Sequence, residues 1–319
     1  MKILLPDIHK TLTRNLCVYL DRLGHKIIIP SNYNITHYPK PPVQQWLFNN
    51  SWTQTLAEKE LGINVMVQDK DGILDSKPDV LLITNFESQF EILNELAPNL
   101  PNAKVAFYSG NDYWNGWFDH SKYQNYLFAD WTGSQISDLY KMKNGKFIIP
   151  FIYPAGSCSF KRSFSNTIGC YINDYQKNFP RSFNFYKNLQ EIQTMFKYEL
   201  MENKPINEVY ETMMNSSLTI HIKEKEGCGL ATLESLAFGR PLILHRQLAQ
   251  DKSLIKWSHQ FLSAFFIENG RDYFELLTAF SENPNLLLLS QESAYNTVRK
   301  IVNEDEQLNT IKDFLNNLV

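Results

Sequence analysis

The stretch from Ser216 to Leu244 constrains this chain more than any other, because it spells out a strand, a glycine-flanked turn, a helix and a second strand without interruption. Ser216 to Ile222 alternates apolar and polar residues with a β-branched bias, the pattern of a partly covered strand. Gly227 and Gly229 then permit close backbone approach and unusual dihedrals. Leu230, Leu233 and Ala237 are spaced for a helix from about Leu230 to Phe238, with Gly239 and Pro241 as its stop, and Leu242 to Leu244 reads as a buried strand. A helix that starts just after a strand offers free N–H groups and a dipole to an anion such as a diphosphate. Two carboxylates, Glu226 and Glu234, stand on either side of the turn. An ionised carboxylate only accepts hydrogen bonds, so Glu234, about one turn into the helix, suits a pair of vicinal hydroxyls.

In order, the segment runs Glu226, seven residues, Glu234, a helix of small residues, Gly239, one residue and Pro241. This resembles the nucleotide-sugar signature of GT-B glycosyltransferases of the retaining, group 1 (family 4-like) type. The resemblance implies two Rossmann-like α/β domains facing a cleft, with the donor held in the C-terminal one. It implies donor contacts from Gly227, Gly229, Leu230, Thr232 and Glu234, and a catalytic place for Glu226 beside the hexose hydroxyls. Cys228 stands where the family most often has an aromatic, a departure that touches packing more than chemistry.

Composition agrees with a two-domain enzyme. At 319 residues the chain exceeds a typical single core, and no apolar run approaches a membrane span. The N-terminus runs straight into a strand, so no signal peptide is expected. Cys17, Cys158, Cys170 and Cys228 lack metal-ligand spacing, which argues for a reducing, cytoplasmic setting and against structural zinc. A net charge of −3 gives no reason to expect nucleic acid as partner. Peripheral membrane contact is compatible with the resemblance, although no basic amphipathic helix compels it.

The first half alternates strands and helices, as a parallel doubly wound sheet does. Strands are expected at Lys2 to Leu5, His25 to Pro30, Val65 to Gln68, Val80 to Thr84 and Val105 to Tyr108, with helices at Thr11 to Leu23 and Glu87 to Leu96. The turn after the first strand has no glycine to admit a pyrophosphate, which argues against dinucleotide binding there. Phe128 to Ser134, a helix to Met142 and a strand at Lys146 to Ile149 are similar to the end of a GT-B N-domain. A Pro- and Ser-rich linker follows, placing the domains at 1–152 and 153–319.

The second domain opens with the strand Thr167 to Ile172, a polar loop to Arg181 and a long helix. In the family an Arg and a Lys from this loop clamp the diphosphate; here its only basic residues are Lys177 and Arg181, and the familiar Gly-Arg strand ending reads Gly169-Cys170. The distance from this loop to Glu226 is short for two further strands, so the domain is expected to be trimmed. Asn269 to Asp272 before a helix, and an amphipathic stretch from Ala294 to Leu318, resemble the family's closing helices, the last of which often crosses back to the first domain.

The resemblance further implies transfer from a UDP- or GDP-sugar to a glycan or lipid-linked acceptor, by positioning and charge stabilisation, with no metal and no cofactor. Acceptor-side contacts would come from Asp112 and Asn111, where related enzymes often show His-Asp, and from His9 in the first strand-to-helix turn. Asp69-Lys-Asp71 also spells the metal-binding Asp-x-Asp of GT-A enzymes, but Asp71-Gly72 reads more simply as a turn. The aromatic cluster of Tyr108, Tyr113, Trp114, Trp117 and Phe118 suits either packing or sugar stacking. Two alternatives stay open: a GT-B-like phosphorylase or epimerase, and a non-catalytic scaffold that binds sugar nucleotides.

Overall fold

The computed structural model describes residues 1–5, 10–30, 63, 65–84, 93–108, 127–131, 146–148, 160–162, 164–170, 180–201, 204, 206–223, 229–249 and 258–318. The chain divides into two compact units, Met1–Tyr153 with Glu304–Val319, and Pro154–Asn303.

The first unit is built on a seven-stranded sheet of β1 (Lys2–Leu4), β2 (Lys26–Pro30), β3 (Val65–Gln68), β4 (Val80–Thr84), β5 (Lys104–Tyr108), β6 (Leu127–Trp131) and β7 (Lys146–Ile148). Every pairing is parallel, in the order β3-β2-β1-β4-β5-β6-β7. This is the doubly wound order 3-2-1-4-5-6 with one more strand at the edge. Runs such as Ile27-Ile28-Ile29 and Leu81-Leu82-Ile83 are buried without alternation, as strands covered on both faces require. Helix α1 (Lys10–Arg22) links β1 to β2 and buries Leu16, Tyr19 and Leu20 at three-to-four spacing.

After β3 the chain departs from expectation. Asp71 and Gly72, expected as a turn, belong to the first turn of a helix. Asp69 is the N-cap of α2 (Lys70–Ser76), its Oδ1 accepting the Gly72 N–H at 2.9 Å, and Asp71 lies in the first turn, where the dipole favours an acid. Of the helix expected at Glu87 to Leu96, residues 93–96 are helical and the rest lies outside the described residues.

The second unit alternates β8 (Thr167–Cys170), α3 (Pro180–Ile192), β9 (Lys197–Leu200), α4 (Ile206–Asn215), β10 (Leu218–His221), α5 (Leu230–Ala237), β11 (Leu242–His245), α6 (Arg246–Ala249), β12 (Ala264–Ile267), α7 (Gly270–Glu282) and α8 (Pro284–Ile301). Its sheet, again parallel, has the order β12-β11-β10-β8-β9. Counted from β8 this is 2-1-3-4-5, the other common doubly wound order. Two strands, β9 and β10, lie between the loop after β8 and Glu226, an interval that the sequence made look too short for two. Ile168, Ile220 and Ile243 from the sheet pack with Tyr186 and Leu189 of α3 and with Leu277 and Phe280 of α7 to form the core. Asn269 caps α7, its Oδ1 accepting the N–H groups of Arg271 at 2.8 Å and Asp272 at 3.1 Å.

The amphipathic stretch expected from Ala294 to Leu318 is two helices. Val302 is extended (φ −95°, ψ 97°), which ends α8 and starts α9 (Glu304–Asn316) in the first unit. There the Tyr19 hydroxyl of α1 donates to Gln307 Oε1 at 3.0 Å, both residues buried, and Arg22 pairs with Glu304 at 2.7 Å. No helix among the described residues is long and apolar enough to cross a membrane.

Candidate functional site

The order of the second sheet selects one place on it. From β8 the chain moves to β9 on one side, whereas from β10 it moves to β11 on the other. Such a reversal opens a crevice at the carboxyl ends of the two central strands, where open α/β sheets bind their ligands. Ile220 sits opposite Cys170 in the parallel register, so β8 and β10 end side by side. The segment leaving β8 carries Lys177, and the segment leaving β10 carries Glu226 and Gly227; these three residues lie outside the described ones.

The return from that turn is described. Gly229 is the N-cap of α5 at φ 63°, ψ 62°, a left-handed conformation that costs a side-chain-bearing residue about 1–2 kcal/mol. Leu230 is the first helical residue. Thr232 is wholly buried, and its hydroxyl donates to the Gly229 carbonyl at 2.6 Å while its N–H reaches the same oxygen at 2.8 Å. The side chain of Thr232 thus tightens the first turn of the helix. Glu234 is only 4% exposed. A carboxylate so deep in a helix of small residues is costly unless polar groups meet it, and that distinguishes it from a solvated surface acid.

Arg181 was expected in the loop before the helix. It is instead the second residue of α3, since Pro180 occupies the first helical position, where its missing N–H costs nothing. Its side chain is exposed. Cys170 points into the core, its thiol donating weakly to the Ile168 carbonyl at 3.5 Å, and burial pushes its pKa up to about 12. The position offers no positive charge. We expect Cys170 to resist alkylation at pH 8 in the folded protein and to react fully in denaturant, as read by peptide mass; labelling of the native protein would contradict the burial.

Two histidines that the sequence reading passed over stand on the same edge. The strands Leu218-Thr-Ile-His221 and Leu242-Ile-Leu-His245 both end in His, a repeat visible in the sequence. His221 is buried. His245 meets the Phe185 ring of α3 edge-on at 4.6 Å; burial lowers its pKa, and the Glu268 carboxylate works against that shift.

In the first unit, the reversal lies between β1 and β4. His9 follows β1, and Asn111 and Asp112 follow β5, all outside the described residues, as are Tyr113, Trp114, Trp117 and Phe118. Among the described residues, no group of three acidic, His or Cys side chains is arranged to hold a metal ion.

No family model matches this sequence, and no curated protein matches it. Solved structures do. HepE (Alr3699) of Anabaena, in complex with UDP and glucose, superposes with a TM-score of 0.70 at 9% identity, covering 100% of both chains. The same protein in complex with UDP-glucose gives 0.65 at 11% identity, again over 100% of both. A glycosyltransferase from Rickettsia africae gives 0.59 at 14% identity, covering 99% of this chain and 97% of that one. With the two parallel sheets, these likenesses define the fold as α/β of the GT-B type.

Proposed function

We propose that this protein is a glycosyltransferase that moves a hexose or N-acetylhexosamine from a UDP- or GDP-sugar to a glycan or lipid-linked acceptor, retaining the anomeric configuration and using no metal. The observation that carries this reading is the switch point between β8 and β10. The segment that holds Lys177 follows β8 and the segment that holds Glu226 and leads to Glu234 follows β10, which supports the reading. The shared fold adds support, since the HepE structures hold UDP and UDP-glucose.

In this reading Glu234 accepts from the ribose hydroxyls, and Gly229 lets the backbone of the turn approach the phosphates. Lys177 and the N–H groups at the start of α5 meet the charge that grows on the leaving diphosphate. Such donors act most strongly when fixed in place before the bond breaks. Glu226 faces the hexose. The first unit supplies the acceptor side: β1 and β5 both flank β4, so the segments with His9 and with Asn111 and Asp112 leave one edge of one sheet.

Thermal unfolding with UDP, GDP, ADP, dTDP and their sugars, with and without magnesium, tests the proposal. One nucleotide family should stabilise the protein by about 2.7 kcal/mol at a hundred times its dissociation constant, equally without magnesium. No stabilisation of a folded protein by any of them would end this reading. One observation favours a second: Cys170 presents a buried thiol where the family carries a cation. A scaffold that binds sugar nucleotides would give binding without product on an acceptor panel, and a phosphorylase or epimerase would give product without acceptor.

A further inference from the structure

Arg240 is the largest wholly buried side chain among the described residues. No carboxylate among them pairs with it. Its Nη1 donates to the Ser216 carbonyl at 2.8 Å and its Nη2 to the Lys161 carbonyl at 2.6 Å, while Nε has no partner. Burial pushes its pKa down to about 10, so it stays charged at neutral pH. A cation surrounded by neutral carbonyls is a costly way to fill space that Leu or Met would fill as well. What a guanidinium adds is direction, because its donors lie in one rigid plane and fix two acceptors at once.

Those acceptors mark an informative place. β10 runs toward the turn at the candidate site and α5 runs back, so Ser216, before the strand, and Arg240, after the helix, meet at the far end of this hairpin. The backbone joins Arg240 to the helix itself. Its N–H bonds the Ser235 carbonyl at 2.8 Å, that of Gly239 bonds Leu236 at 2.9 Å, and that of Phe238 bonds the carbonyl of Glu234 at 3.2 Å. Lys161, the second acceptor, belongs to a strap fastened on both sides: the Phe160 ring stacks on Tyr295 at 4.7 Å, and the Ser165 N–H donates to Ser217 Oγ at 2.8 Å.

We propose that Arg240 is a positioning residue, which sets α5 and its Glu234 against β10 and the strap at Lys161 and thereby holds the donor-binding carboxylate in register. The assignment rests on the nucleotide-sugar reading of the site.

The test compares Arg240→Met and Arg240→Lys with Phe280→Leu, a change on α7 in the core of the same unit, where the ring packs on Phe265 of β12. Affinities for UDP, GDP, ADP and dTDP are measured by calorimetry where the variants are folded, with amide exchange of α5 and α7 followed alongside. Arg240→Met should weaken binding of the preferred nucleotide about tenfold or more and speed exchange in α5. Arg240→Lys, which keeps the cation and the reach for one carbonyl, should recover part of the loss. Phe280→Leu should stay within about twofold in affinity and speed exchange in α7 instead. If the parent protein binds none of the nucleotides, the functional reading falls. If it binds but Arg240→Met binds equally, or Phe280→Leu loses as much, Arg240 is not a positioning residue. Unchanged exchange in α5, or failure of both Arg240 variants to fold, overturns the proposal whether or not nucleotide binds.

Discussion

Gly239→Val should cost the second unit about 2–6 kcal/mol, the sum of backbone strain and overpacking, a large fraction of the stability of an ordinary domain. Gly239 sits at φ 70°, where a β-branched residue is a genuine outlier. A Cβ there would also stand 2.4 Å from two ring carbons of Phe160 and 3.1 Å from the Gln291 carbonyl. The two costs can be separated. In Gly239→Ala combined with Phe160→Ala the ring contact is gone and the strained dihedral remains. This double variant should therefore be more stable than additivity of the two single changes allows. Urea denaturation of the four proteins checks it. Additive losses would mean that the Phe160 ring moves aside freely, and the strap would then be looser than its contacts imply.

The sequence made the second half of the fold more legible than the first, and for a physical reason. The run from Ser216 to Pro241 carries its own punctuation: glycines at both ends of α5 occupy left-handed backbone at φ 63° and φ 70°, so the helix limits could be read closely. β9 had no such signal. It is a four-residue edge strand, Lys197-Tyr-Glu-Leu, with three of its residues exposed, and neither an apolar run nor a clean alternation marks it. The break between α8 and α9 was hidden for the opposite reason. Apolar residues keep helical spacing across it, since Val298 and Val302 are buried in one unit and Ile311 and Phe314 in the other. Pro180 was read as loop and Asp71-Gly72 as turn, although Pro at a first helical position and an Asp N-cap, here Asp69, are recognised helix-start signals. Of the site, residue types and spacing were legible. The switch point was not, because strand order is a property of the sheet. Nor was the burial of Arg240, since an Arg between Gly and Pro reads as surface.

Glu234→Ala should weaken nucleotide binding by more than a hundredfold, because two hydrogen bonds to an ionised carboxylate are worth about 3 kcal/mol or more together. Glu234 is 4% exposed and lies within the second turn of α5. The loss of an exposed surface charge would not give an effect of this size. The ribose assignment makes a sharper demand. If both hydroxyls donate to this carboxylate, the parent protein should prefer UDP to 2′-deoxy-UDP by about tenfold, one such bond being worth roughly 1.5 kcal/mol or more. Glu234→Ala should then bind the two alike. Glu234→Gln, which keeps the shape but loses the charge and one acceptor oxygen, should fall between. The cycle of two proteins and two ligands cancels any general change in folding, since stability enters both ligand measurements equally. Should GDP be the preferred nucleotide, the same cycle runs with GDP and 2′-deoxy-GDP. A variant that binds less tightly overall but keeps the full preference for the ribonucleotide would place Glu234 away from the ribose, and the acceptor of those hydroxyls would have to be sought elsewhere on the β8 and β10 edge.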